Sequence, residues 1–464
     1  MRRDLIKGRR ENTLLLPYCI LMGIFNLRIE SLKNVLKCFS IYSVALAVLF
    51  ISCNSVIAEE TLSWQDCIKE AAKNHPDLIA AQEGIKESQA SKAITASSLF
   101  PQIDSSLSAS TAKTTATNAV TGAKTSTTTD SYSYGVSGTQ LLFDGFKTLN
   151  NVKGASENIK ASQEGYRFTS SEVRLNLRTA FINLLTAQEL VHVAEEIVKI
   201  RRDDLELIAL RYESGLENEG SLLTAEADLK EANFELSEAK RDVEVAQRQL
   251  TKEMGRQEFK PMSARGDFVV RDTAKEKPDF EAIVKNNPSL LQALANKNAA
   301  SFNIKSAYAN FSPELSGNIG ADKSSSTWPP RDKAWNAGLT VTMPIFEGGL
   351  RLAQVSQAKA LYKQAEANER SAKDAAIYGL AQTWAQLQDT IEAVDVQYTS
   401  LNAAAKRSEI AEAQYSTGFI SFDNWTIIED NLVAAKKSYL NSQANMLFAE
   451  ANWIQAKGET LEYE

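Results

Sequence analysis

Few side chains in this sequence are equipped for chemistry, and their spacing argues against any. The two histidines, His75 and His192, lie 117 residues apart with no partner motif, so helix-surface or core roles are expected for both. Of four cysteines, Cys19, Cys38 and Cys53 fall in the first 58 residues, which leaves Cys67 alone as a small apolar residue on a helix. No Gly-rich phosphate loop, Ser/His/Asp arrangement or metal-ligand spacing is present, so neither an enzyme nor a cofactor is expected. The carboxylates are abundant but fall mostly on solvated helix faces. One group stands apart. Glu409 and Glu412 lie three residues apart on one helix face just before Thr417-Gly418, with Lys406 and Arg407 upstream and Glu213 at the related place in the first half of the chain. By spacing alone this is a charged group on a helix surface.

Positioning those residues requires long helices, and the composition supplies them. Glycine (21) and proline (10) are sparse for 464 residues, which is beyond the usual single-core size. Lys33 and Lys37 precede an apolar run from Cys38 to Ile51, then Val56-Ile57-Ala58 and the acidic Glu59-Glu60, the pattern of a signal peptide cut after Ala58. Met22 gives a more ordinary start than Met1. A transmembrane anchor and a lipidated Cys53 are the rival readings. Residues 1–58 carry eight of the 51 basic and three of the 58 acidic side chains, so the remainder has net charge −12 and no nucleic-acid footprint.

The chain repeats itself. Lys73-Asn74-His75-Pro76-Asp77-Leu78 returns as Lys285-Asn286-Asn287-Pro288-Ser289-Leu290, and Pro101 returns as Pro313, both 212 residues on. Leu142-Phe143-Asp144-Gly145 returns as Ile345-Phe346-Glu347-Gly348, and Arg211-Tyr212-Glu213-Ser214-Gly215 as Gln414-Tyr415-Ser416-Thr417-Gly418, now 203 residues on. The nine-residue difference falls where the first copy carries Ser/Thr-rich residues 111–130, expected to be an exposed loop. The organisation read from this is a leader over 1–58, a first repeat over 59–254, a linker over 255–279 and a second repeat over 280–464.

Within each repeat, large apolar residues recur every seven. Leu177, Leu184, Val191, Val198, Leu205 and Tyr212 are answered by Leu380, Leu387, Val394, Leu401, Ser408 and Tyr415. After the glycine turn come Leu222, Leu229, Leu236, Val243 and Leu250, with alanines at 225, 232, 239 and 246. These are coiled-coil seams. Residues 148–214 predict one helix of roughly 100 Å at 1.5 Å per residue, backed by shorter helices over 221–254 and 62–98. Beyond Pro101 and Pro313 the pattern changes to period two. Ile103, Leu107 and Ala109 alternate with Asp104, Ser106 and Ser108, and Trp335, Ala337, Leu339 and Val341 with Asn336, Thr340 and Thr342. Four strands of about ten residues are predicted, the length of a bilayer-crossing strand. Four strands cannot close a barrel, so closure must be intermolecular, with a dimer of eight strands or a trimer of twelve allowed by counting.

Two hairpins set between coiled-coil helices, the duplication, the Phe-Asp-Gly and Phe-Glu-Gly strand exits and the Tyr-x-x-Gly tips together resemble the TolC-type outer-membrane efflux family over residues 60–458. The resemblance implies a mainly α fold with a transmembrane β part: a homotrimer whose twelve-stranded barrel sits in outer-membrane lipid and continues into a twelve-helix periplasmic tunnel. It implies an exit duct for a tripartite efflux or type I secretion system, with a periplasmic adaptor protein and an inner-membrane pump as partners. The adaptor-docking tips would be Ser214, Gly215, Leu216, Thr417, Gly418 and Phe419. The periplasmic aperture would be lined by Glu409 and Glu412, with Glu213 pairing with Lys406 or Arg407. Only six residues follow Gly458, so a C-terminal equatorial tail is expected to be nearly absent. The alternative is a secreted trimeric coiled-coil stalk or adhesin, which explains the heptads but not the paired alternating strands.

Overall fold

The computed structural model describes residues 60–270 and 277–463. The leader, its cut after Ala58, the start at Met22 and the Cys53 alternative lie outside the described residues. Among the described residues no helix is long and apolar enough to cross a membrane.

The first repeat runs β1 (Glu60–Ser63), α1 (Trp64–Asn74), α2 (Pro76–Ser97), β2 (Gln102–Thr117), β3 (Lys124–Phe143), α3 (Lys147–Glu213) and α4 (Glu219–Glu253). After β4 (Met262–Arg265) the second repeat follows as α5 (Phe280–Val284), α6 (Pro288–Ala309), β5 (Glu314–Ser325), β6 (Asp332–Thr342), α7 (Leu350–Ser416) and α8 (Phe422–Ala456). Both α3 and α7 have 67 residues, and neither contains a proline. Each therefore extends roughly 100 Å. Helices α4 and α8, of 35 residues each, pack along the far half of α3 and α7, while α2 and α6, of 22 each, pack along the near half.

The single helix expected over 62–98 is two. Asn74 closes α1 and Pro76 opens α2, because the residue before a proline is pushed to extended backbone, as His75 is at φ −66° and ψ 125°. His75 is almost fully buried and caps α2, accepting the Asp77 N–H on Nδ1 at 3.2 Å. Cys67 is wholly buried, and burial pushes its thiol up to about 12.

The heptads build the core. Leu177, Leu184, Leu380 and Leu387 have no exposed surface, and the alanines at 225, 232, 239 and 246 are buried where α4 lies against α3. Around the middle of the rod, β1 pairs in parallel with β4 from Glu60↔Met262 to Ser63↔Arg265. Arg256 clasps that end, giving two hydrogen bonds to Glu60 at 2.9 and 3.1 Å and two to Glu70 at 2.6 and 2.7 Å. The short C-terminal segment does more than its length suggests. Leu461 is buried in the first repeat's core, and Tyr166 donates to Glu462 at 2.8 Å.

The four long strands form one antiparallel sheet in the order β2-β3-β5-β6. Their lengths, 16, 20, 12 and 11 residues, exceed the ten expected, most of all in the first hairpin. Residues 111–130 are not a loop: pairing continues to Thr117↔Lys124, and the turn is confined to 118–123. Threonine favours strand geometry, and side chains pair across the ladder, hydroxyl to hydroxyl at Ser108–Ser133 (2.8 Å) and Thr115–Ser126 (3.2 Å) and from the Thr111 hydroxyl to the Asp130 carboxylate (2.7 Å).

Candidate functional site

Three regions carry the functional geometry: the sheet, the two helix tips and the helix faces behind them. In the sheet, cross-strand register sorts the side chains. Ile103 faces Gly138, Leu107 faces Tyr134, Val136 faces Ala321, Ile319 faces Ala337 and Leu315 faces Val341, so all of these share one face with Trp335 and Leu339. Asp104, Ser106, Ser133, Ser137, Asn318, Asn336 and Thr340 occupy the other. The apolar face is open, with Leu107 71%, Trp335 80% and Leu339 73% exposed. From Trp335 to Val341 it spans about 20 Å along the strand at 3.3 Å per residue. Aromatic rings gather at its ends, Tyr132 beside Trp328 (6.2 Å) on one side and Phe143 beside Phe146 (5.7 Å) on the other. Strands β2 and β6 each pair on one side only, so the sheet presents two open edges.

The sheet hands over to the long helices through the Asp-Gly and Glu-Gly exits. Asp144 accepts from the Thr148 N–H (2.7 Å) and hydroxyl (2.6 Å), placing a carboxylate at the start of α3, and Glu347 accepts from Arg351 Nε at 2.7 Å at the start of α7. The backbone there turns left-handed, at Gly145 and Phe146 in the first copy and Gly348 and Gly349 in the second. Phe146 is the one place where the first copy holds this conformation without glycine among the described residues.

At the opposite end the two tips are the same structure. Helix α3 closes with Leu216 N–H on the Arg211 carbonyl (2.8 Å) and Gly215 N–H on Tyr212 (2.9 Å); α7 closes with Phe419 on Gln414 (2.8 Å) and Gly418 on Tyr415 (3.0 Å). This paired pattern needs a left-handed residue, supplied by Gly215 at φ 71° and Gly418 at φ 82°. Asn218 and Ser421 then cap α4 and α8 through the N–H groups of Ser221 and Asn424. The turn throws its next side chain outward, leaving Leu216 67% and Phe419 82% exposed beside exposed Ser214 and Thr417. Beneath them the tips are tied to each other. Tyr415 stacks on Trp425 at 4.5 Å, lies 4.7 Å under the Arg211 guanidinium and donates to Glu217 at 2.7 Å, while Arg211 also reaches the Ser416 carbonyl at 3.3 Å. Burial resists ionisation of Glu217, yet donors from Tyr415, Ser221 and Asn218 with the Arg211 charge hold its carboxyl below the usual range. Burial and Glu217 push the Tyr415 phenol up. Of this knot the sequence showed only the repeated Tyr-x-x-Gly; Arg211 is answered by Gln414, so the repeat gave no signal for it.

The aperture candidates are less united. Glu409, Glu412, Arg407 and Glu213 are all exposed. Lys406 binds both Oε atoms of Glu409, three residues along its own helix, at 2.8 Å. Glu213 is the repeat equivalent of Ser416, ten residues beyond Lys406 and nine beyond Arg407. That offset is roughly 13–15 Å along the axis, so within one chain the expected pairing with Glu213 is replaced by the local Lys406–Glu409 pair. Among the described residues, no group of three or more His, Cys, Asp or Glu could hold a metal ion.

The family model described as "Outer membrane efflux protein" matches residues 67–256 and 281–459. The chain is similar to the outer membrane efflux protein BepC of Brucella suis biovar 1 (strain 1330), with 24% identity over 412 residues, 87% of this chain and 83% of that one. Among solved structures it resembles the CmeC outer membrane channel of Campylobacter jejuni, at a TM-score of 0.73, 22% identity and 84% of each chain. It also resembles the MtrE outer membrane channel of Neisseria gonorrhoeae in its open state, at 0.74, 18% identity, 86% of this chain and 90% of that chain.

Proposed function

The chain belongs to the outer membrane efflux protein family, and from that premise we propose that three copies form the exit duct of a tripartite efflux or type I secretion system. It is an outer-membrane protein whose helical part lies in the periplasm. The observation that carries the shared-barrel reading is the sheet, with an apolar face, a polar face and two unpaired edges, β2 and β6, while the family likeness favours three copies over two. Open edges are not tolerated in hydrocarbon, and pairing β6 of one copy with β2 of the next removes them, with twelve strands in a trimer. The polar face then lines the pore, and α3 and α7 prolong it as a tunnel. The duct conducts passively.

At the far end the exposed turns of Ser214-Gly215-Leu216 and Thr417-Gly418-Phe419 offer six apolar-tipped knobs per trimer to a periplasmic adaptor, and through it to an inner-membrane pump. Glu409 and Glu412 supply negative charge near that mouth, with Lys406, Arg407 and Glu213 as neighbours. The purified protein is expected to run as a heat-resistant three-copy species from outer-membrane fractions and to give discrete openings in planar bilayers. Glu409→Gln with Glu412→Gln is expected to lower cation preference while leaving the trimer intact. Soluble release into the medium without channel activity would favour a stalk, and a two-copy species would favour eight strands.

A further inference from the structure

Behind the aperture, α3, α4, α7 and α8 meet around a group of charges that neither the tips nor the pore explain. Arg201 of α3 is nine-tenths buried and shared between Asp204, at 3.7 Å on its own helix, and Asp430 of α8, which accepts a hydrogen bond from it. Glu429 of α8 is 4% exposed and accepts from the buried Ser408 hydroxyl of α7 at 2.6 Å. Asp228 of α4 lies in the field of Arg201 and Asp430, and Glu412 of α7 in the field of Asp204 and Glu429. Asp203 and Glu231 add negative charge from α3 and α4. Arg201, Asp204, Asp228, Trp425 and Glu429 line a void of about 10 Å³. The fully buried Trp425 indole N–H faces Glu429 and favours its ionised form.

The negative charge exceeds what one guanidinium can balance, and the void decides what else can balance it. Its volume is at the lower limit for one water molecule, so a hydrated cation does not fit, whereas a proton does. We infer that Asp204 and Glu429, which line one void from α3 and α8, form a proton-dependent clasp joining the first repeat's coiled coil to the second's, tightened when the surroundings acidify. The inference stands on these buried groups and does not depend on adaptor docking; of the two aperture glutamates only Glu412 takes part, as a neighbouring charge.

The direction follows from proton binding. Burial, then Glu429, Glu412 and Asp203, push the Asp204 carboxyl up to about 7 against the pull of Arg201. Burial also raises Glu429, against Ser408 and Arg201, and raises Asp228. When the helices part, Asp204 returns to an ordinary carboxylate, with a pKa of about 3.9. Between those values the packed state holds a proton that the parted state has lost. Packing is therefore fully stabilised below the lower value and loses that stabilisation as pH rises through about 7. For one proton, the local opening constant is expected to fall about tenfold between pH 8 and pH 6.

Hydrogen exchange on the purified full-length protein, expressed as protection factors, reads this constant. Amides of α3 and α8 around Arg201 and Glu429 are expected to gain about tenfold protection from pH 8 to pH 6, while those around Leu177 and Leu184 do not. Asp204→Asn, isosteric and permanently neutral, is expected to stay at the acid level of protection at both pH values, and Glu409→Gln to keep the wild-type response. Protection that is flat in the wild-type protein, or a response that survives in Asp204→Asn, overturns the clasp. A response lost in Glu409→Gln overturns it too, by assigning the proton to the aperture. None of these readings depends on conductance or export, so failure of the duct reading and failure of the clasp are distinguishable.

Discussion

At the residue scale the tips turn on a division of labour between glycine and its successor. Gly215 and Gly418 have open space around them, so size is not their constraint; their left-handed backbone is. Replacing either with an L-residue stores strain of about 1 kcal/mol or more, which would confuse a loss of docking with a loss of turn. Leu216 and Phe419 sit one residue later with most of their surface in solvent. Leu216→Arg with Phe419→Arg is therefore expected to change stability by less than about 0.5 kcal/mol while abolishing export and in-cell crosslinking to an adaptor. Normal export from that double variant, with trimer yield unchanged, would remove the tips from the docking surface.

At the element scale, the alternation of leucine and alanine sets how closely helices approach. In α4 the seam leucines Leu222, Leu229 and Leu236 are half-buried, but Ala225, Ala232 and Ala239 are at most 4% exposed, so the alanines define the contact with α3. Ala232 packs with Ile197 and Val198. Ala232→Leu is expected to overpack this layer and destabilise it by about 1–3 kcal/mol, seen as a lower melting temperature in circular dichroism at 222 nm. Lys230→Ala, on the solvent side of the same turn, is expected to leave the melting temperature unchanged. Equal effects from both would mean that the heptad does not place the seam.

At the scale of the whole molecule, the first hairpin outreaches the second. β5 covers β3 only from Tyr132 onward, so residues 111–117 and 124–130 continue as a two-stranded ribbon beyond the sheet. All of it is polar or small, and its tip at Gly122 points away from the helices' end of the sheet. An epitope inserted between Asn118 and Gly122 is expected to label intact cells, and labelling only after permeabilisation of the outer membrane would reverse the orientation. The sequence by itself determined the duplication, the seven-residue seams, the helix lengths and the two-residue alternation of the sheet, because each is a local periodicity matched to one backbone repeat. It also located both glycine turns. It missed the break at His75, where one proline outweighs a continuing apolar pattern, and it took residues 111–130 for a loop because hydrophilic threonine ladders look like linkers when only polarity is read. What the tertiary structure alone decided are contacts between residues about two hundred positions apart. Arg211 over Tyr415, Tyr415 with Glu217, and Arg201 with Asp430 depend on how two coiled coils are phased against each other. That phase is set by packing across the repeats, and no periodicity within either one contains it.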